Sequence, residues 1–151
     1  VSAEVAFLRE WRTQTRALQP DVEVKTIDVL AITQSVLSDI GIENVVDSLN
    51  DSEWAGSATE DLARLWVSAI ADEVRRKMTE GSSGKPVLSV EHISALYPAS
   101  GPWDVMQRLW NDADSPLDCP VIVLIPGVLT GSRHYRFLNK KDEFMYRGDL
   151  L

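Results

Sequence analysis

One cysteine, Cys119, stands in 151 residues, so no disulfide can close within the chain and no multi-cysteine metal site can be built. Histidine is nearly as scarce. His92 and His134 are the only two, and no HxxxH, HExxH or Cys/His spacing exists to supply a metal's ligands. A GxSxG nucleophile elbow is absent too. The stretch EGSSGKP (80–86) has the glycines and lysine of a phosphate loop. It lacks the GxxxxGK[ST] spacing, follows a helical pattern instead of a strand, and runs straight into Pro86. The longest apolar stretch, 121–128, is interrupted by glycine and is far too short to span a membrane. No basic region leads into an apolar core near the start, so nothing directs export and a cytoplasmic protein is expected. Because the chain opens on Val1 instead of Met, it reads as one that lacks a native N-terminal segment.

The most informative absence is of positive charge. Between Thr26 and Ala63 there is no Lys or Arg, against eight acids: Asp28, Asp39, Glu43, Asp47, Asp51, Glu53, Glu60 and Asp61. From Pro126 onward the balance reverses, with Arg133, Arg136, Lys140, Lys141 and Arg147 against Asp142, Glu143 and Asp149. The net charge of -8 is therefore the sum of a +2 tail and a -10 remainder. An acidic chain repels the phosphates of duplex DNA, so direct duplex binding by the isolated protein is not expected.

A chain of this length, with 44% hydrophobic residues, can bury one core and is expected to be a single domain over 1–151. Val5, Leu8, Trp11 and Thr15 fall at helical spacing, with Ser2 placed to cap. The alternation in VEVKTIDVL suits a strand. Val29, Ile32, Val36 and Ile40 form the stripe of a second helix that Gly41 stops, and a short helix follows through Val45, Val46 and Leu49. The clearest helix runs through SATEDLARLWVSAIADEVRRKM, with Leu62, Leu65, Trp66, Ala69, Ile70 and Val74 as its apolar face and Ser57 or Thr59 as its cap. Its closing Arg75, Arg76 and Lys77 suit the negative end of the helix dipole. PVLSVEHISALYP reads as a second strand in which His92 is a packed or surface residue. Pro102 opens a helix whose buried side is Trp103, Met106, Leu109 and Trp110. VIVLI, apolar throughout, reads as a central strand covered on both faces. Alternating helices and strands define the α/β class: a single-domain sandwich with a small, mainly parallel central sheet flanked by helices.

The region with the placement of a site is PGVLTGSRHYRF, because ligands of open α/β sheets bind where loops leave the carboxyl ends of strands. Pro126, Gly127, Thr130 and Gly131 form the loop, and Thr130, Ser132, Arg133, His134 and Arg136 carry donors suited to phosphate or carboxylate. Three readings stand side by side. The stretch is a tight turn followed by a solvated charged helix, a site for a phosphate-bearing ligand or nucleotide, or part of a macromolecular interface. Arginine and tyrosine are enriched at interface hot spots, and Arg133, His134, Tyr135, Arg136, Phe137, Phe144, Tyr146 and Arg147 are the interface candidates. Cys119 with His134 is the remaining nucleophile–base pairing, although Cys119, between Asp118 and Pro120, suits a small packed hydrophobe. No catalytic residue and no cofactor are assigned.

The tail also resembles the BrxB family of BREX phage-resistance systems. The resemblance rests on VIVLIPGVLTG at 121–131, YRFL at 135–138 and YR at 146–147, with ISALYP at 93–98 and VMQRLW at 105–110 fitting upstream. It covers about the last 65 residues and departs from the family where Met145 replaces the first of two tandem tyrosines. Family members also carry an N-terminal apolar strand that this chain lacks. The resemblance implies a small bacterial adaptor with no catalytic activity, contacting the alkaline-phosphatase-like protein PglZ.

Overall fold

The computed structural model describes residues 2–114, 116–145 and 148–149. Ser2 opens α1 (Ala3–Arg16) by accepting the Val5 N–H at 3.3 Å, which satisfies one of the first-turn donors a helix leaves free. Strand β1 (Val22–Asp28) turns Lys25 and Ile27 inward and Thr26 outward. Asp28 both ends β1 and caps α2 (Val29–Ile40), taking the Ala31 N–H at 3.3 Å. At Gly41 the chain turns through 87° into α3 (Ile42–Asn50).

Helix α4 (Ala55–Thr79) starts ahead of the expected caps. The Thr59 hydroxyl donates back to Ala55 O at 2.8 Å, so it sits within the helix and does not cap it. Leu62, Trp66, Ile70, Ala71 and Val74 are buried, whereas Leu65 lies off the stripe and is exposed. The basic trio at its end is paired with acids: Arg75 with Asp72 and Asp112, Arg76 with Glu73 and Glu80, and Lys77 with Glu80. The Arg76 guanidinium donates to Glu73 and holds that carboxyl below the ordinary glutamate range.

Strand β2 (Lys85–Glu91) is shorter than the sequence pattern suggested. His92 adopts left-handed backbone at φ 58°, and the chain winds at once into a 3-10 turn (Ile93–Leu96). Pro102 opens α5 (Pro102–Trp110), which buries Val105, Met106 and Leu109 but leaves Trp103 and Trp110 substantially exposed.

β3 (Val121–Val123) completes a parallel sheet ordered β1-β2-β3, with Val24 opposite Val87 and Ser89 opposite Ile122. The central strand is thus β2, and 121–125 supplies a three-residue edge strand of intermediate burial. Continuous apolarity reports that both faces of a strand are covered; it carries no information about neighbours along the hydrogen-bonding direction.

After β3 the expected charged helix is replaced by an antiparallel meander of β4 (Gly127–Leu129), β5 (His134–Phe137) and β6 (Lys141–Phe144). One core joins the two sheets: Ile27, Leu88 and Val90 meet the buried faces of α4 and α5, and Tyr135, Phe137 and Met145 belong to the same cluster. The opposite face of the parallel sheet is covered by α1, whose Trp11 indole donates to Ser89 Oγ at 3.1 Å. No single described helix is long and apolar enough to cross a membrane.

Candidate functional site

The meander divides the interface candidates into two sets, because strand side chains alternate between faces. Tyr135 and Phe137 point inward and are buried at 3% and 0% exposure, so they anchor the tail and are not part of a docking surface. The Tyr135 hydroxyl donates to Glu143 Oε2 at 2.6 Å, and the same oxygen accepts the Trp103 N–H at 3.1 Å from the first turn of α5. Lys141 Nζ stands 3.1 Å from Oε1 as an ion pair. Burial, then the neighbouring Glu143 carboxylate, push the Tyr135 phenol well above its ordinary value. Gly101 makes this approach possible, since a Cβ there would lie 2.5 Å from Glu143 Oε1.

Arg133, His134, Arg136 and Phe144 face solvent. Arg136 Nε donates to Asp142 Oδ1 at 2.8 Å across the β5–β6 pair, and the His134 and Phe144 rings lie 4.8 Å apart at the next position. Arg133 reaches toward Gly148 O at 3.5 Å. Along the outer edge, β4 leaves Val128 and Leu129 exposed at 49% and 65%. It pairs with β5 on one side, and no described strand pairs with its other side. Gly127 is required there, because a Cβ would meet Arg136 O at 2.2 Å. Thr130 and Gly131 both direct their N–H groups onto His134 O, at 2.9 and 3.3 Å, which removes two backbone donors from any anion at this loop. Pro126 O accepts from Leu138 N–H at 2.9 Å, closing the loop onto β5. Tyr146 and Arg147 lie outside the described residues.

A second polar cluster, not apparent from the sequence, occupies the carboxyl ends of β1 and β2, the edge where open α/β sheets bind ligands. Glu91 is fully buried there; its Oε2 accepts from Arg12 Nη2 at 2.6 Å and its Oε1 from Ser89 and Thr26 hydroxyls at 3.3 and 3.4 Å. Next to it, His92 Nδ1 lies 3.0 Å from Asp28 Oδ1. Val5, Leu8, Arg9, Arg12, Thr13, Arg16 and His92 line a cleft of about 290 Å³ over this edge. The available sequence signals were an acid ending each of two strands and three arginines at i, i+3 and i+7 on α1.

Cys119 lines a separate apolar cleft of about 210 Å³ with Met106, Leu109, Trp110, Leu117, Pro120, Val121 and Val123. Burial and then the Asp118 charge raise its thiol above the ordinary cysteine value, which opposes the thiolate a nucleophile requires. His134 does not line this cleft. Among the described residues no group of three His, Cys, Asp or Glu side chains is arranged to hold a metal ion.

Comparison with protein-family models, curated proteins and solved structures finds no match to this chain.

Proposed function

We propose that this chain is a non-catalytic adaptor that docks a larger protein through the β4 edge and outer face of its C-terminal meander. The observation that carries the reading is β4: an edge strand with no second strand beside it among the described residues, with Val128 and Leu129 exposed near the cationic Arg133 and Arg136. Soluble proteins ordinarily cover or charge such an edge, because it pairs readily with another chain. Added-strand docking uses the exposed backbone for affinity and the flanking side chains for specificity. Across the charge divide, α3 and the start of α4 expose Ile42, Val46, Leu49 and Trp54 among the acids of 39–61. Two apolar surfaces of opposite charge suit a bridge between larger proteins. The resemblance to BrxB supplies the setting, a cytoplasmic BREX phage-defence assembly with PglZ as partner.

The test is co-purification with PglZ at two salt concentrations. Arg133→Glu with Arg136→Glu is expected to abolish salt-sensitive association. The melting temperature should move little, because the Arg136–Asp142 pair is exposed and such pairs contribute about 0–1 kcal/mol. Association unchanged by the charge reversal and by salt would exclude the meander as the docking face.

A further inference from the structure

We propose that the cleft between α1 and the carboxyl edge of the parallel sheet binds a small organic phosphate. Arg9, Arg12, Thr13 and Arg16 follow one another at i, i+3, i+4 and i+7, which places them on one stripe of α1 over a rise of about 10 Å. All four line the same cleft, opposite His92. Arg12 is held in place by buried Glu91 through a single Nη2 contact, leaving most of its five N–H donors for a second acceptor.

Arg9 and Arg16 carry the argument further. Their side chains have no hydrogen-bond or ion-pair partner among the described residues, in a chain with 23 acids to 15 Lys and Arg. Most arginines elsewhere behave differently: Arg64, Arg75, Arg76, Arg108 and Arg136 stand beside carboxylates, while Arg133 reaches the Gly148 carbonyl. Three guanidiniums over one concavity, two of them without counter-ions, match an acceptor with several oxygens, and arginine binds phosphate through paired N–H donors.

His92 completes the wall. Its left-handed backbone at φ 58° is a conformation that non-glycine residues hold when surrounding contacts enforce it, often at functional positions. Asp28 engages Nδ1, leaving Nε2 as the ring's remaining polar atom. Val5 and Leu8 add an apolar section to the lining, which favours an organic phosphate over the bare ion. A cleft of about 290 Å³ has room for a small ligand.

Calorimetric titration with phenyl phosphate and with inorganic phosphate, at ionic strength matched with sodium chloride, tests this. The expected result is saturable binding of phenyl phosphate, tighter than that of inorganic phosphate. The Arg9→Gln/Arg16→Gln double variant should bind about ten-fold or more weakly. Both arginines are exposed, so the variant should unfold at the parental temperature and the comparison remains valid. Inorganic phosphate binding as tightly as phenyl phosphate would overturn the organic assignment. Absence of saturable binding up to millimolar concentration, or equal binding by the double variant, would overturn the site. Arg133→Glu with Arg136→Glu should leave phosphate binding unchanged, which separates this cleft from the docking face.

Discussion

Replacing Glu143 tests whether the tail is an integral part of the fold or an appendage to it. The Glu143 carboxylate ties β6, β5 and the start of α5 together, through the Tyr135 hydroxyl at 2.6 Å and the Trp103 N–H at 3.1 Å. Glu143→Ala strands a buried phenol donor, which costs about 1–3 kcal/mol. It also removes a carboxylate from the first turn of α5, worth about 0.3–1 kcal/mol when exposed and up to ~2 kcal/mol when partly buried. The Lys141 pair adds little, since that lysine is 44% exposed. The expected loss is about 3 kcal/mol, equivalent to roughly 6–12 °C in melting temperature for a chain of this size. Urea unfolding followed by fluorescence reports it, because Trp103 and Trp110 bracket α5. Tyr135→Phe removes the donor and leaves no orphan hydroxyl, so it should cost only about 1 kcal/mol. In the double variant the two losses should fail to add, since each removes the same hydrogen bond. A loss below about 1 kcal/mol for Glu143→Ala, or strict additivity with Tyr135→Phe, would refute the anchoring role.

Two further outcomes concern Lys25 and Cys119. Lys25, 8% exposed, donates from Nζ to the carbonyls of Lys77, Glu80 and Gly81 at 3.3, 3.0 and 3.3 Å, closing the C-terminal end of α4. Lys25→Met should cost about 2 kcal/mol and accelerate amide exchange in the last turn of α4; unchanged exchange there would exclude the cap. Cys119 should alkylate more slowly than a free thiol at neutral pH, with its pH–rate curve displaced upward. The sign follows from its raised pKa, which lowers the thiolate fraction at every pH below the new midpoint. A midpoint below that of an ordinary cysteine would refute the burial argument.

Most of the elements were legible because their periodicity is strong and their ends are chemically marked. Ser2 and Pro102 begin helices by capping or by fixed torsion, and Gly41 ends one, whereas the Asp28 cap of α2 emerged only from the structure. What escaped is tertiary in origin. Leu65 belongs to the apolar composition of α4 but falls off its buried stripe, and Trp103 and Trp110 are apolar residues that the small sheet leaves uncovered. The meander escaped for a different reason. His134 to Phe137 alternates polar and apolar over four residues, too short a run to tell a strand from a helical turn, and the Pro126–Gly127 bend masks β4 altogether. The same alternation, once its strand character is known, separates Tyr135 and Phe137 from Arg136 without further information. Composition alone had grouped them as one aromatic and basic patch.

The carboxyl-edge cluster was hidden by sequence distance. Glu91 lies 79 residues from Arg12, and His92 lies 64 from Asp28. Parallel pairing of β1 with β2 in register brings Asp28 opposite Glu91, so two strand ends that look unrelated in the chain become neighbours. An acid ending a half-exposed strand is ordinary when taken alone. Two such ends side by side, with the stripe of arginines on α1 above them, concentrate charge where the topology opens the sheet. There Arg12 is paired with Glu91, while Arg9 and Arg16 have no ion-pair partner among the described residues. In the basic meander Arg136 is already matched by Asp142, and Arg133 reaches the Gly148 carbonyl. By that criterion Arg9 and Arg16 are freer to meet an external anion than Arg136, although the tail has the higher density of positive charge.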